Sequence, residues 1–490
     1  MAQQKLYFSC ALSDKDGGAQ RPGAVIEMLR DIFPSMPVRG GVNGDPDIER
    51  LLSCAPKAAS ACAARGISDE REGKTARPWD QAAAAALKTA AERLPDVRDR
   101  LHRLSDLVYG KKGDGLDVAS ARSIYGKLHS QSITRLEKFA GCPFAYYVNY
   151  GLKPERTEPF EMNSRETGIF LHDAVNEFLS SCGERINEMD ASAARSRMAA
   201  IAQRMLDSRG TGTPMEDSAC ARAEGRVLKE TACRCAEVLA EHMRGSKFRT
   251  RQTEKSFGRE DGANRLCAGD TTLEGRIDRV DSWEEGNSLR VIDFKLGGRA
   301  LNLAGAYHGL QLQLPVYLGA AMKQHNARSA GVYYFALEDG VIDTQTMQKD
   351  AVEAERMGRF RLNGLLPEDP ELLQAQTPEP KKVFSGRFTD AGKPFANVPC
   401  ADDVNFDRLV RHTLRMARTH IDAIRSGRAE VSPMQFDQRD ACGICDNRAA
   451  CLFDPKIDAG KVRRYKNIKW NEVFEKIAFE EDENKQKPEE

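Results

Sequence analysis

The chain has 490 residues, and its 73 Lys and Arg offset 73 Asp and Glu, so no global basic field advertises a polyanion partner and any such surface must be local. The length suggests roughly three domains; with no run of about 18 apolar residues and no charged-then-apolar start, neither a membrane span nor a secretory signal is expected, and the cytoplasm is the expected location. The 13 cysteines stand out against that location, because disulfides are rare in a reducing compartment and so many thiols require burial, a metal or a cluster.

Residues 1–125 form a leader region, with a strand-like Leu6-Tyr7-Phe8-Ser9 and a helix-forming run from Ala82 to Ala91. Gly73-Lys74-Thr75 looks like the end of a phosphate-binding loop. The position that needs the earlier glycine is Ser68, and no apolar strand precedes it, so no nucleotide site is expected. A main domain is expected over 126–460. In 133–152, Phe139, Phe144, Tyr146, Tyr147 and Tyr150 cluster around Cys142. After Gly168, Leu171, Val175, Phe178 and Leu179 recur at helical spacing and put His172 on the edge of the buried face. Residues 190–250 read as a helical insertion with a stripe of Leu228, Ala232, Cys235, Leu239 and Met243, closed by Gly245 as a C-cap. From Thr253 to Leu337 the pattern is strand, strand, strand, helix, strand, an α/β core. Pro367, Pro370, Pro378, Pro380, Pro394 and Pro399 mark 366–400 as a long surface loop. A helix follows near 404–425, and 461–490 form a C-terminal tail that frays over its charged last residues.

Gly275-Arg276-Ile277-Asp278-Arg279-Val280-Asp281 and Leu289-Arg290-Val291-Ile292-Asp293-Phe294-Lys295 carry the sharpest chemical signal. Side chains alternate along a strand, so Asp293 and Lys295 share one face while Ile292 and Phe294 pack the other way. A turn at Gly286-Asn287 would lay the two strands side by side and converge Asp278 and Asp293 on one hard cation, with the Lys295 ammonium beside it. That set suits phosphodiester hydrolysis: Mg²⁺ takes oxygen ligands and neutralises the scissile phosphate, and a lysine orients the attacking water and offsets transition-state charge. Gln313 and Tyr317, four apart, share a face of the next helix, which Pro315 starts or kinks. His172 is either a further metal ligand or a structural histidine.

Nine cysteines, Cys10, Cys54, Cys62, Cys182, Cys220, Cys233, Cys235, Cys267 and Cys400, read as small buried hydrophobes. Cys442, Cys445 and Cys451 differ. Cys-Gly-Ile-Cys lets two sulfurs reach one metal centre, Cys451 adds a third, and Cys142, followed by Pro143, is the natural fourth. Spacing alone allows an iron–sulfur cluster or zinc.

Taken in this order, the residues resemble the PD-(D/E)xK nucleases of the RecB family, and more narrowly the C-terminal part of AddB-type subunits of bacterial helicase-nucleases. The resemblance rests on Ser132-x-x-Arg135-Leu136-Glu137 running into Cys142-Pro143-Phe144, on Gly168 with His172, on Gly275-Arg276-Ile277-Asp278-Arg279, on Asp293-Phe294-Lys295, on Gln313 to Tyr317 and on the cysteine trio, over 132–455. It implies a restriction-endonuclease-like mixed sheet flanked by helices, with 1–125 the remnant of a helicase-like domain. It implies His172, Asp278 and Asp293 as ligands of Mg²⁺ (or Mn²⁺), Lys295 as the catalytic lysine, Gln313 and Tyr317 as active-site members, and a [4Fe–4S] cluster rather than zinc on Cys142, Cys442, Cys445 and Cys451. The expected activity is exonuclease action on single-stranded and duplex DNA ends in double-strand-break repair, beside an AddA-type helicase-nuclease subunit. Arg276, Arg279 and Arg299, near Lys295, are the expected DNA-contacting patch. Two other readings are a stand-alone or CRISPR-adaptation-type iron–sulfur nuclease, which is usually much shorter, and a DNA-binding scaffold with a dead site. The intact Asp278, Asp293 and Lys295 argue against the scaffold.

Overall fold

The computed structural model describes residues 24–34, 115–154, 164–210, 219–337, 349–437, 439–451, 453–455 and 458–486, with isolated positions between 59 and 102. The chain divides into two compact units, Met1–Lys111 and Lys112–Glu490. The described part of the first includes a helix, Ala24–Ile32, and helical positions at 85 and 87–89 inside the Ala82–Ala91 run. The strand expected at 6–9 and the loop at 73–75 lie outside the described residues, as do Cys10, Cys54 and Cys62.

The second unit is built on a mixed eight-stranded sheet. Its strands are β1 (Ser130–Ser132), β2 (Arg249–Phe257), β3 (Thr271–Trp283), β4 (Ser288–Lys295), β5 (Arg328–Ala336), β6 (Asn363–Pro367), β7 (Cys400–Ala401) and the short Cys267–Ala268. The spatial order is β1-β3-β4-β5-β6-β7, with β2 and Cys267–Ala268 also paired to β3. β3 and β4 form an antiparallel hairpin. Its turn needs Gly286, where a Cβ would meet the Trp283 ring at 2.3 Å, and Asn287, which takes φ 42°. β4 and β5 are parallel, so the chain must cross over between them, and it does so through a helix.

The helices are α1 (Ile133–Gly141), α2 (Ser164–Cys182), α3 (Ala191–Gly210), α4 (Ala219–Met243), α5 (Gln313–His325), α6 (Asp403–Arg425) and α7 (Trp470–Gln486). Alternation along β4 divides them into two layers. Leu289 and Val291 enter a core with Leu136 of α1, Leu314 and Leu318 of α5, Leu409 and Ile421 of α6 and Val473 of α7. Ile292 and Phe294 enter the opposite core with Phe170 and Phe178 of α2, Met198 of α3 and Leu239 of α4. Each such side chain, taken fully out of water, contributes roughly 1.5–3 kcal/mol. The result is the expected α/β arrangement, a central mixed sheet flanked by helices. No helix among the described residues is long and apolar enough to cross a membrane.

Three expectations change. Residues 366–400 are not a simple surface loop: Pro370 and Pro380 each start a short helix, Pro370–Gln376 and Pro380–Val383, and Leu372, Val383, Phe384, Phe388 and Val398 are buried. The prolines initiate rather than break, because proline at the first helical turn loses no hydrogen bond. The described part of the expected 461–490 tail, 461–486, is structured, since α7 runs to Gln486 and buries Val473, Phe474 and Ile477 in the first core. Cys182, Cys233 and Cys235 are buried as expected, whereas Cys267 and Cys400 lie half-buried on short strands.

Candidate active site

Asp278 sits on β3 and Asp293 on β4. The hairpin pairs Arg279 with Ile292, so the two carboxylates come next, opposite one another, where the ladder ends. The Phe294 amide there donates to Asp278 Oδ2 at 2.7 Å, so a side chain takes the place of a ladder acceptor. Asp293 is fully buried. Its Oδ1 accepts from the Gln313 side-chain amide at 3.0 Å, and its Oδ2 lies 2.5 Å from Lys295 Nζ. Lys295 keeps 24% of its side chain exposed, enough to meet a ligand. Burial and the neighbouring Asp278 charge push the Asp293 carboxyl up to about 7, against the pull of Lys295 and Arg299.

α5 brings Gln313 and Tyr317 to the same place. The Gln313 amide also donates to Tyr317 Oη at 3.1 Å, and burial with the Asp293 charge raises the Tyr317 phenol. Pro315 lies within the first turn of α5 and does not kink it. The glycine at 275 has a steric cause: a Cβ would stand 2.7 Å from Phe257 and 2.8 Å from Tyr317.

His172 projects from α2 with Nε2 3.1 Å from Asp278 Oδ1 and Nδ1 2.9 Å from Glu254 Oε1. Burial opposes the imidazolium, but hydrogen bonds to two carboxylates outweigh it and raise His172 to about 10. Glu254 is a site residue that the sequence reading missed, because one acid in the strand Thr-Glu-Lys-Ser carries no periodic signal. The β2 register sets it beside Asp278, and its φ of 53° is left-handed backbone inside a strand. Such a conformation costs about 1–3 kcal/mol and persists where surroundings over-determine it. His172, Glu254 and Asp278 offer three ligand atoms all within 4.8 Å of one another. With Asp293 opposite, this oxygen and imidazole set fits a hard divalent cation, which would relieve the crowding of the carboxylates.

The expected basic patch splits. Arg276 is exposed, with 62% of its side chain open and Nε 2.6 Å from Glu254 Oε2. Arg299 is half-buried, with Nη2 3.3 Å from Glu137 Oε2 and its guanidinium 5.4 Å from the Tyr334 ring centre. Arg279 is a correction, since only 1% of its side chain is exposed. Its Nε lies 2.7 Å from Asp281 Oδ1, Arg290 Nε lies 2.8 Å from Oδ2, and both guanidinium groups reach Met243 Sδ. Residues two apart on a strand share a face, and here that face is covered by α4, so Arg279 is closed to DNA. Arg279→Ala should cost about 1–3 kcal/mol, because Asp281 Oδ1 stays buried without its donor while Asp281 and Arg290 still balance in charge. Chemical denaturation checks the loss, and the salt slope of DNA binding should not move.

The cysteines meet at the other end of α1. Cys142 caps that helix through its amide on Lys138 O. The downstream thiols lie between the second and third strands of a small sheet of β8 (Met434–Phe436), β9 (Arg439–Asp440) and β10 (Arg463–Tyr465). Arg463 Nη2 donates to Ala140 O at 2.7 Å and Asn447 Nδ2 to Asn149 Oδ1 at 3.2 Å, holding the two segments together. Cys142, Cys442, Cys445 and Cys451 line one cavity with Phe144, Val431 and Pro433. Burial, Asp440 and the three neighbouring sulfurs push the Cys442 thiol up to about 11. Thiols so crowded are costly as anions without a cation among them, so the donor set fits a thiophilic metal centre.

Residues 130–452 match the model of the PD-(D/E)XK nuclease superfamily. Three curated relatives are each named as a subunit of an ATP-dependent helicase/deoxyribonuclease: that of Symbiobacterium thermophilum is 29% identical over 500 residues and 96% of this chain, that of Moorella thermoacetica 30% over 491 residues and 95%, and that of Desulforudis audaxviator 30% over 511 residues and 98%. The chain spans 42% of the length of the first two and 43% of the third. The matched span holds the β3–β4 hairpin, Asp278, Asp293, Lys295, Gln313 and all four clustered cysteines, and the chain belongs to the PD-(D/E)XK nuclease superfamily.

Proposed function

We propose that this chain is a Mg²⁺-dependent DNA exonuclease, working in the cytoplasm as the AddB-like subunit of a helicase-nuclease in double-strand-break repair by recombination. The observation that carries the reading is the pair of facing carboxylates with Lys295 Nζ 2.5 Å from Asp293 and His172 Nε2 3.1 Å from Asp278. The relatives' name, a subunit of a helicase and deoxyribonuclease, supports DNA as substrate and an AddA-type partner.

His172, Asp278 and Asp293 would hold the cation, with Glu254 against the far nitrogen of His172. When bound, a divalent cation neutralises phosphate charge and lowers the pKa of a coordinated water. Lys295, tied to Asp293, keeps its ammonium where charge develops on the phosphoryl oxygens and can orient the attacking water. Gln313 holds Asp293 Oδ1 through its amide, which leaves Asp293 one fixed orientation. Arg276 and Arg299 flank the site and would engage backbone phosphates. Cys142, Cys442, Cys445 and Cys451 would hold a [4Fe–4S] cluster, a reading supported by the Cys-x-x-Cys spacing, Pro143 after Cys142 and the shared cavity.

A cleavage assay on single-stranded and duplex ends, with and without the AddA-type subunit and ATP, tests the assignment. Cleavage of single strands by the chain with Mg²⁺, and of duplex ends only with partner and ATP, is expected. Duplex degradation that needs neither would favour the stand-alone nuclease. Metal affinity should depend on pH. Protons compete for Asp293, raised to about 7, and for His172, raised to about 10. Raising the pH from 6 to 9 removes the competition at Asp293 and begins to lift it at His172, so Mn²⁺ should bind progressively tighter in a titration over this range. A flat profile would contradict the ligand set.

A further inference from the structure

The segment Ser132-x-x-Arg135-Leu136-Glu137 has no task in the chemistry above, although Glu137 reaches the border of the site. α1 buries Ile133, Leu136, Phe139 and Ala140 in the core and turns Glu137 toward the start of α5, with 14% of its side chain exposed. Its Oε1 accepts from the Leu312 amide at 2.8 Å and from the Gln313 amide at 2.9 Å. The first amides of a helix have no acceptor within it. Leu312 occupies the N-cap position, and its side chain cannot supply one. A carboxylate from a distant helix therefore does so, and its charge suits the positive end of the helix dipole.

The helix fixed in this way begins with Gln313, whose side chain bonds Asp293 Oδ1 at 3.0 Å and Tyr317 Oη at 3.1 Å. The second oxygen of Glu137 holds Arg299, which lies over the ring of Tyr334. Tyr334 is the register partner of Asp293 on β5. Glu137 thus governs two groups that border Asp293, the Gln313 amide and the Arg299 cation. The geometry points to Glu137 as a positioning residue of the nuclease site, one that fixes Asp293 through Gln313; this rests on the nuclease reading. The same helix ends at Cys142, so the cysteine centre and Asp293 are referenced to one rigid element.

The test uses the full chain as parent, Glu137→Ala, Glu137→Gln, Gln313→Ala and the double variant Glu137→Ala/Gln313→Ala. Two readouts are taken: Mg²⁺-dependent cleavage of an end-labelled single-stranded oligonucleotide, and Mn²⁺ binding by electron paramagnetic resonance. Removing a residue that orients a metal ligand typically costs about 10- to 100-fold. Glu137→Ala should lower kcat and weaken Mn²⁺ binding by such factors. Glu137→Gln, whose side-chain oxygen still accepts both amides, should recover most of each. The double variant should lose no more than the worse single variant, because both act through one hydrogen bond. A general loss of stability would instead multiply the effects. Parental kcat and Mn²⁺ affinity in Glu137→Ala, or multiplying losses in the double variant, would overturn the proposal. A parent that binds Mn²⁺ but cleaves nothing would sink the nuclease reading alone, and the Mn²⁺ arm would still decide the role of Glu137. Should Glu137→Ala not fold, Glu137→Asp, too short to reach both amides, takes its place with the same expected losses.

Discussion

Lys295→Ala is expected to lower Mg²⁺-dependent DNA cleavage by about 10²- to 10³-fold, the usual cost of removing one preorganised charge from a transition state, while Mn²⁺ binding is kept or tightened. Asp293→Ala should remove both cleavage and tight metal binding. The two variants separate because Asp293 is fully buried between Lys295 and Gln313 and can only act on what sits inside the site, whereas Lys295 contributes its ammonium at the partly open edge. The side-chain charges also point in opposite directions. Removing Asp293 leaves Lys295 without its 2.5 Å partner. Removing Lys295 leaves two carboxylates with less to oppose their repulsion, which favours a cation between them. Cleavage rates read beside metal titrations check both. Parental cleavage by either variant would show that the chemistry lies elsewhere.

Cys142→Ala is expected to remove iron and to lower the melting temperature of the chain together. Cys142 ends α1, and the three other thiols come near the C-terminal end of the sequence, so a cluster held by the four would close a very long loop. By loop-closure entropy a cross-link of that span is worth up to about 6 kcal/mol. The hydrogen bonds of Arg463 and Asn447 would remain and keep part of the connection. Because α1 also carries Glu137 to the start of α5, cleavage should fall with the iron content. Iron analysis and thermal melting on the same sample test this. Unchanged melting with iron absent would mean that the four thiols do not staple the unit.

Legibility in the sequence followed the range of the interactions. The β3–β4 hairpin could be read because its information is local: strand alternation separates Asp293 and Lys295 from Ile292 and Phe294, and Gly286-Asn287 marks the turn. The stripe of α4 and the edge position of His172 follow from helical period in the same way. Glu254 could not be read, since its role depends on a strand register and on a left-handed backbone that no spacing rule signals. Arg279 misled for a related reason. An arginine between two aspartates suggests a surface, and only the packing of α4 over that face reveals an internal ion cluster. The prolines of 366–400 were ambiguous because proline both ends and begins helices, and burial of Phe384 and Val398 decides which.

The central claim is that these carboxylates and Lys295 hydrolyse DNA with a divalent cation. It is tested most directly by the time course of product release from an end-labelled single-stranded DNA, run on the chain in Mg²⁺ and again after chelation with EDTA. Short oligonucleotides should accumulate in Mg²⁺, none should form after chelation, and adding Mg²⁺ or Mn²⁺ back should restore them. Product forming at the same rate with the cation removed, or no product in Mg²⁺ from protein that binds DNA and metal, would contradict the claim.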